Sequence, residues 1–90
     1  MPRPCIRRRI RGRPRANYFK PAGVRLTKLD EVVLELSEFE AIRLVDLECI
    51  EQSEAGKKME ISQPTLSRLL KSARRKISEA IIHGKAIRIG

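Results

Sequence analysis

The chain has 90 residues, with 20 Lys or Arg against 11 Asp or Glu and a formal net charge of +9 at pH 7. This length suits one domain with a small core of its own. No apolar run is long enough for a transmembrane helix, and the arginine-rich start lacks the apolar stretch of a signal peptide. We therefore expect a cytoplasmic protein with no membrane partner, in which Cys5 and Cys49 stay reduced.

The charge is divided unevenly along the chain. Residues 1–28 carry ten Lys or Arg and no acid, residues 29–56 carry nine acids and one Arg, and residues 57–90 carry nine Lys or Arg and two acids. Two basic segments around an acidic one predict one face directed at a polyanion and another turned away from it. A merely solvated charged surface is the plainer alternative.

The first 21 residues form a basic arm in this interpretation. They contain four prolines and eight cations and too few apolar side chains for a core, so we predict that the arm is flexible. Part of it, RGRPR, resembles the core of an AT-hook, which lies in the minor groove of A·T-rich DNA; there glycine approaches the groove floor and arginines seek its negative potential. An arm that only contacts phosphates is the alternative. The candidate minor-groove residues are Arg11, Gly12, Arg13, Pro14 and Arg15.

Residues 22–90 are predicted to form the folded domain. We expect Tyr18 and Phe19, at the join with the arm, to dock on its core. Alternating apolar residues predict short strands at 24–29 and at 85–89, which could pair with each other or with a second subunit. Residues 29–36 are compatible with either extended structure or a turn.

A supporting helix is predicted from residue 37 to about residue 48. Ser37 and Glu40 have the spacing of a capping box. The acids before and within this helix are expected to form a solvated face, and the alternative is a docking surface for a basic partner such as RNA polymerase. The inward residues are Phe39, Ile42, Leu44 and Val45, and the acids are Glu31, Glu35, Glu38 and Glu40.

The stretch AGKKMEISQPTLSRLLKSARRKISEAII has the periodicity of a short helix, a turn and a long amphipathic helix. We predict helices at 52–59 and 63–82, with Ser62 as N-cap and Pro64 in the first turn of the long helix. Ala55 and Gly56 are small where the two helices should cross, and Met59 and Ile61 should close the core. The inward stripe of the long helix is Leu66, Leu69, Leu70, Ala73, Ile77, Ala80 and Ile81, and its polar stripe is Gln63, Ser67, Lys71, Arg74, Arg75 and Ser78.

These residues resemble two known groups of proteins. The cadence of short helix, turn and long basic helix is similar to the promoter −35 reading region of bacterial sigma factors. The chain also resembles, nearly end to end, a family of short, uncharacterised archaeal and bacterial proteins described as predicted DNA-binding; the similar segments are MPRP, YFKPAG, LSEFEAIRLVDLE, SQPTLSRLLKSARRKISEA and GKAIRI. The resemblance implies a sigma-like helix-turn-helix. Glu51 departs from the family's more usual serine cap, and the arm is richer in arginine than is usual.

The resemblance also implies which residues contact DNA. The base-reading positions fall in the first two turns of the long helix, where glutamine can pair with adenine and arginine with guanine. The nearby lysines and arginines are better suited to phosphates, which position a protein without specifying a sequence. The implied base readers are Gln63, Pro64, Ser67 and Arg68, and the implied phosphate contacts are Lys57, Lys58, Lys71, Arg74 and Arg75.

Other chemistry is disfavoured by the residues present. His83 is the sole histidine, and it has no ligand spacing with either cysteine, so we predict no metal site and no cofactor. No catalytic set can be assembled, and we predict that the protein is not an enzyme. We expect Cys49 to be a small buried apolar residue and Cys5 to be exposed in the arm.

We therefore predict an all-α, three-helix domain with a helix-turn-helix of the winged-helix-like or sigma-region type, a flexible basic arm and short terminal strands. Its predicted function is sequence-specific binding of duplex DNA as a transcriptional regulator. One short helix reads few base pairs, so a homodimer is expected. The alternative is an architectural or RNA-binding basic protein of low sequence specificity.

Overall fold

The computed structural model describes residues 10–25, 27 and 29–90. Residues 1–9, and with them the prediction for Cys5, lie outside the described residues. The elements in chain order are β1 (Tyr18–Phe19), β2 (Glu31–Leu34), α1 (Leu36–Ile42) with a π-helical continuation (Arg43–Leu47), α2 (Gln52–Met59), α3 (Gln63–His83) and β3 (Ala86–Ile89). Three helices and a three-stranded sheet make the protein mixed α/β, so the all-α prediction is wrong.

The sheet joins the two ends of the domain. β3 lies in the middle, antiparallel to β1 and parallel to β2. The strand predicted at the end of the chain is thus confirmed. The prediction that it pairs with a strand at 24–29 is wrong, because β3 pairs with β1 and with Glu31–Leu34. The pairing of β3 with β2 buries apolar side chains. It sets Leu34 beside Ile89, and Leu34 and Ala86 are buried where β2 packs on α3.

α1 begins at Leu36 rather than at the predicted Ser37 cap. Its N-cap is Glu35, whose N–H donates to the carboxylate of Glu38 at 2.8 Å. The capping interaction therefore lies two residues earlier than predicted, because Ser37 is buried inside the helix and the Glu40 carboxylate binds other donors. The π-helical continuation extends the helix to Leu47, close to the predicted end.

The core lies between α1, α2 and α3. Met59, Leu66 and Leu70 are its largest fully buried apolar side chains. Ile42, Val45 and Ile61 pack against it while partly exposed, as the predicted helix faces require. The buried cluster consists of Ala41, Leu44, Ala55, Met59, Leu66, Leu69 and Leu70.

α3 is a 21-residue helix that follows its predicted bounds closely. It ends at Gly84, whose φ of 67° is the left-handed conformation that favours glycine. Most of its predicted inward stripe is buried, but Ile81 is 73% exposed, so the buried stripe ends at Ala80. Among the described helices, α3 included, none is long and apolar enough to cross a membrane.

Candidate nucleic-acid interface

α2 and α3 are joined by a tight turn that brings their backbones close together. Glu60 adopts a left-handed φ of 59° at the end of α2. A Cβ on Gly56 would lie 3.2 Å from the carbonyl oxygen of Ile61, which is tighter than an ordinary contact. The neighbouring Ala55 is completely buried. Small residues at 55 and 56 therefore allow the approach of the two helices, as the sequence predicted.

The first two turns of α3 begin at a well-defined cap. The hydroxyl oxygen of Ser62 accepts the backbone N–H of Thr65 at 3.3 Å, and it also donates to the Thr65 hydroxyl at 2.8 Å. Both the cap and the early proline are as predicted. The four predicted base-reading side chains after this cap all point to solvent: Gln63, Pro64, Ser67 and Arg68.

Most of the cations predicted to contact phosphates are exposed and form no ion pair at contact distance in the described part of the chain. Lys57 and Lys58 are in the last turn of α2, and Lys71 and Arg75 are on the exposed face of α3. Arg74 differs, because it binds the carboxylate of Asp46 with a 2.6 Å contact. Cations elsewhere are paired as well: Arg43 with Glu40, Lys76 with Glu38, Lys85 with Glu79 and Arg88 with Glu31.

A buried carboxylate holds α3 against α1. Glu38 is 2% exposed and accepts hydrogen bonds from Lys76 Nζ at 2.7 Å and from the Ser72 hydroxyl. Burial raises the pKa of Glu38, but the hydrogen bonds from Lys76, Ser72 and the Glu35 backbone outweigh it and hold the pKa below its usual value. Ser72 and Lys76 are one turn apart on α3, so this cluster fixes the rotation of α3 and hence the direction of its exposed face.

A second buried carboxylate holds part of the arm. Glu40 is 1% exposed and accepts the backbone N–H groups of Arg11 and Gly12, each at 3.1 Å, and the Arg43 guanidinium at 2.8 Å. Burial raises the pKa of Glu40, but Arg43 and the two N–H groups together lower it below the usual value. Residues 11 and 12 are thus docked on α1, whereas the sequence predicted a flexible arm.

The docked position of this segment offers an explanation for the glycine at position 12 that does not involve a DNA groove. A Cβ at this position would lie 2.1 Å from Arg43 Nε and 2.9 Å from Glu40 Oε1, so a larger residue would require the side chains of Arg43 and Glu40 to move from the positions in which they bind each other. The side chains of Arg11, Arg13 and Arg15 remain exposed. Arg11, Arg13 and Arg15 therefore lie exposed in or next to a backbone segment that is docked on α1 at residues 11 and 12.

We expect Gly12→Ala to release this segment. Amide hydrogen exchange at Arg11 should accelerate by about tenfold or more, because a hydrogen bond to a charged group contributes about 1.5–3 kcal/mol. Ala22→Ser, in an exposed turn, is the control and should leave exchange at Arg11 unchanged. Equal protection of Arg11 in the Gly12→Ala variant would contradict the claim that the docked segment requires glycine at position 12.

The acidic face predicted from the sequence is only partly present. Glu38 and Glu40 are buried and Glu31 binds Arg88 at 2.8 Å, whereas Glu35 is exposed, so the four acids do not form one solvated face. A contact with RNA polymerase through the acidic segment stays a prediction. One local signal was present, the three-residue spacing of Glu35 and Glu38, which is the spacing of the observed cap. Nothing in the local pattern pointed to Glu40 as the residue that binds the arm.

The two remaining candidate groups are at the surface. Cys49 is exposed and has a φ of 59°, so the prediction of a buried residue is wrong; it lies in the loop after the π-helical segment rather than in the core. His83 is exposed in the last turn of α3. Within the described residues, no three His, Cys, Asp or Glu side chains are grouped to hold a metal ion.

The chain matches a protein family over its whole length. The model described as "Protein of unknown function DUF134" matches residues 1–90. Similar proteins include UPF0251 proteins of Caldanaerobacter subterraneus subsp. tengcongensis and of Moorella thermoacetica, 51% and 52% identical over 89 residues. The alignments cover 99% of this chain and 75% and 60% of those relatives, and no solved structure matches. The chain therefore belongs to the DUF134 family.

Proposed function

We propose that the chain binds duplex DNA in a sequence-specific manner through a helix-turn-helix formed by α2 and α3, and that it acts as a transcriptional regulator. The observation that carries the proposal is the exposed face of α3. Its first two turns present Gln63, Ser67 and Arg68 to solvent directly after a fixed cap. In a helix-turn-helix, this end of the second helix enters the major groove.

The cations near α2 and α3 that are free of ion pairs also support DNA binding by this face. Lys57, Lys58, Lys71 and Arg75 are exposed, and within the described chain they form no ion pair at contact distance, so a phosphate would not have to break one. Arg75 does interact electrostatically with Glu79, one turn further along α3. Arg74 would first have to leave Asp46. A surface pair of this kind contributes at most about 1 kcal/mol, so Arg74 stays a candidate phosphate contact of lower value.

The docked arm adds the exposed Arg11 to the proposed basic surface. Arg11 lies near Lys58, since both line the same small cavity beside Glu40. Arg11 can therefore contact a phosphate beside α2 without leaving α1. Insertion of Gly12 into a minor groove requires the arm to leave Glu40 first. A homodimer on a two-fold symmetric site stays a prediction, since one α3 reads few base pairs.

The test separates two arginines that a charge argument would treat alike. Arg68 lies in the second turn of α3, and Arg75 lies two turns further on, where the helix should leave the groove. Arg68→Ala should weaken binding to a selected duplex by about 1–3 kcal/mol and hardly affect random duplex. Arg75→Ala should weaken both by similar factors and lower the salt slope by about one.

Both variants are first checked for folding by circular dichroism, and the duplex is selected from a random library with the purified full chain. Dissociation constants on the selected and on random duplex then give a ratio for each variant. If Arg68→Ala and Arg75→Ala change this ratio equally, α3 does not read bases in the way proposed. Equal, unselective binding would instead favour the architectural or RNA-binding alternative.

A further inference from the structure

An apolar groove separates the docked arm from the helices. It has a volume of about 620 Å³, within the range of small-molecule sites. Its apolar lining comes from β1, from α1 and its π-helical continuation, from α3 and from β3: Phe19, Phe39, Ile42, Leu47, Ile77 and Ile89. Leu47 and Phe19 are 76% and 53% exposed. Large side chains that stay open to water around one groove indicate a surface suited to an apolar ligand.

The charges around the groove indicate that an apolar ligand would also carry a negatively charged group. Four charged residues line it: Arg13, Arg15, Arg43 and Asp46. Arg43 is held by Glu40 and Glu48, and Asp46 is held by Arg74. Arg13 and Arg15 have no acidic partner among the described residues, so they leave an uncompensated positive charge at the edge of an apolar surface.

We propose that this groove binds a small amphipathic monoanion, with an apolar tail on Ile42 and Ile77 and a carboxylate at Arg13 and Arg15. An arginine fork matches a carboxylate geometrically. A neutral tail alone would leave the two cations without a partner, and a small polar anion alone would leave the apolar surface in water. The ligand class is therefore an aliphatic or aromatic carboxylate. This site is distinct from the exposed face of α3 and does not depend on DNA binding.

The probe for the test is decanoate, below its micelle-forming concentration, added to the full chain. Amide chemical shifts of Ile42, Leu47 and Ile77 should change in a saturable, one-site manner. Decanol and decyltrimethylammonium, which have the same tail, should bind at least tenfold more weakly. Octanoate should bind more weakly than decanoate, by about fourfold for each CH₂ removed.

Two charge-matched double variants complete the test. Arg13→Gln with Arg15→Gln should weaken decanoate binding about tenfold or more, whereas Arg68→Gln with Arg75→Gln removes the same charge from α3 and should change it less than twofold. All four arginines are exposed, so both variants should fold. The proposal would be overturned if the two variants had equal effects or if the three decyl probes bound equally well. It would also be overturned if the chain self-associated and its groove amides did not respond to decanoate.

Discussion

Glu38→Ala should destabilise the protein by about 3 kcal/mol, because removal of one member of a buried ion pair leaves the other without its partner. The Glu38 carboxylate accepts the Lys76 ammonium, the Ser72 hydroxyl and the Glu35 N–H. Lys76 keeps 30% of its side chain exposed, so water can solvate the ammonium after Glu38 is removed. We therefore expect the low end of the range of about 3–5 kcal/mol for breaking a buried ion pair. The midpoint of thermal unfolding should fall by roughly 12–24 °C.

Urea and thermal unfolding measure this effect. Glu54→Ala, an exposed acid in the first turn of α2, is the matched control and should stay within about 0.5 kcal/mol of the unmodified chain. Glu38→Ala combined with Lys76→Met removes both members of the pair and should recover part of the loss. If Glu38→Ala is no more harmful than the control, the cluster does not hold α3.

The same pair predicts a pH dependence. The pKa of Glu38 in the folded protein lies below its ordinary value, so its contribution to stability is complete above the unfolded pKa and is lost as pH falls through the folded pKa. The difference in unfolding free energy between the unmodified chain and Glu38→Ala should therefore shrink below about pH 4.3. A difference that stayed constant from neutral to acid pH would contradict the assignment.

The helices α2 and α3 could be predicted from the sequence because their signals are local. The apolar period of 3.6, the Ser62 cap and Gly84 each depend on neighbours within one or two turns. The four predicted base readers were exposed for the same reason, since the inward stripe determines the opposite face. Ile81 was the exception, because period alone does not show that Ala80 ends the buried stripe.

The sheet and the buried acids could not be predicted, because their partners are distant in sequence. β2 pairs with a strand more than fifty residues later, and alternation of apolar residues could not distinguish Glu31–Leu34 from 24–29. Glu38 and Glu40 have the composition of a solvated helix face. They are buried because Lys76, 38 positions away, and the N–H of Arg11, 29 positions away, supply their hydrogen bonds.

Affinity for duplex DNA should fall by about 10³- to 10⁴-fold between 50 and 200 mM salt, which corresponds to roughly six to eight phosphates and a slope of about −5 to −7 in log K against log salt. The physical reason is release of condensed counterions as cations neutralise phosphates. The proposed face supplies Lys57, Lys58, Lys71 and Arg75 without loss of an internal ion pair among the described residues, and the docked arm adds further exposed arginines.

Sequence-specific DNA recognition is tested by a salt titration of the full chain on two duplexes, one selected from a random library and one scrambled. We predict a slope of about −5 to −7 on both duplexes and an affinity at least ~10³-fold higher for the selected duplex at each salt concentration. A slope shallower than about −2 would contradict binding through the cationic face. Equal affinity for the two duplexes throughout the titration would contradict sequence recognition by α3.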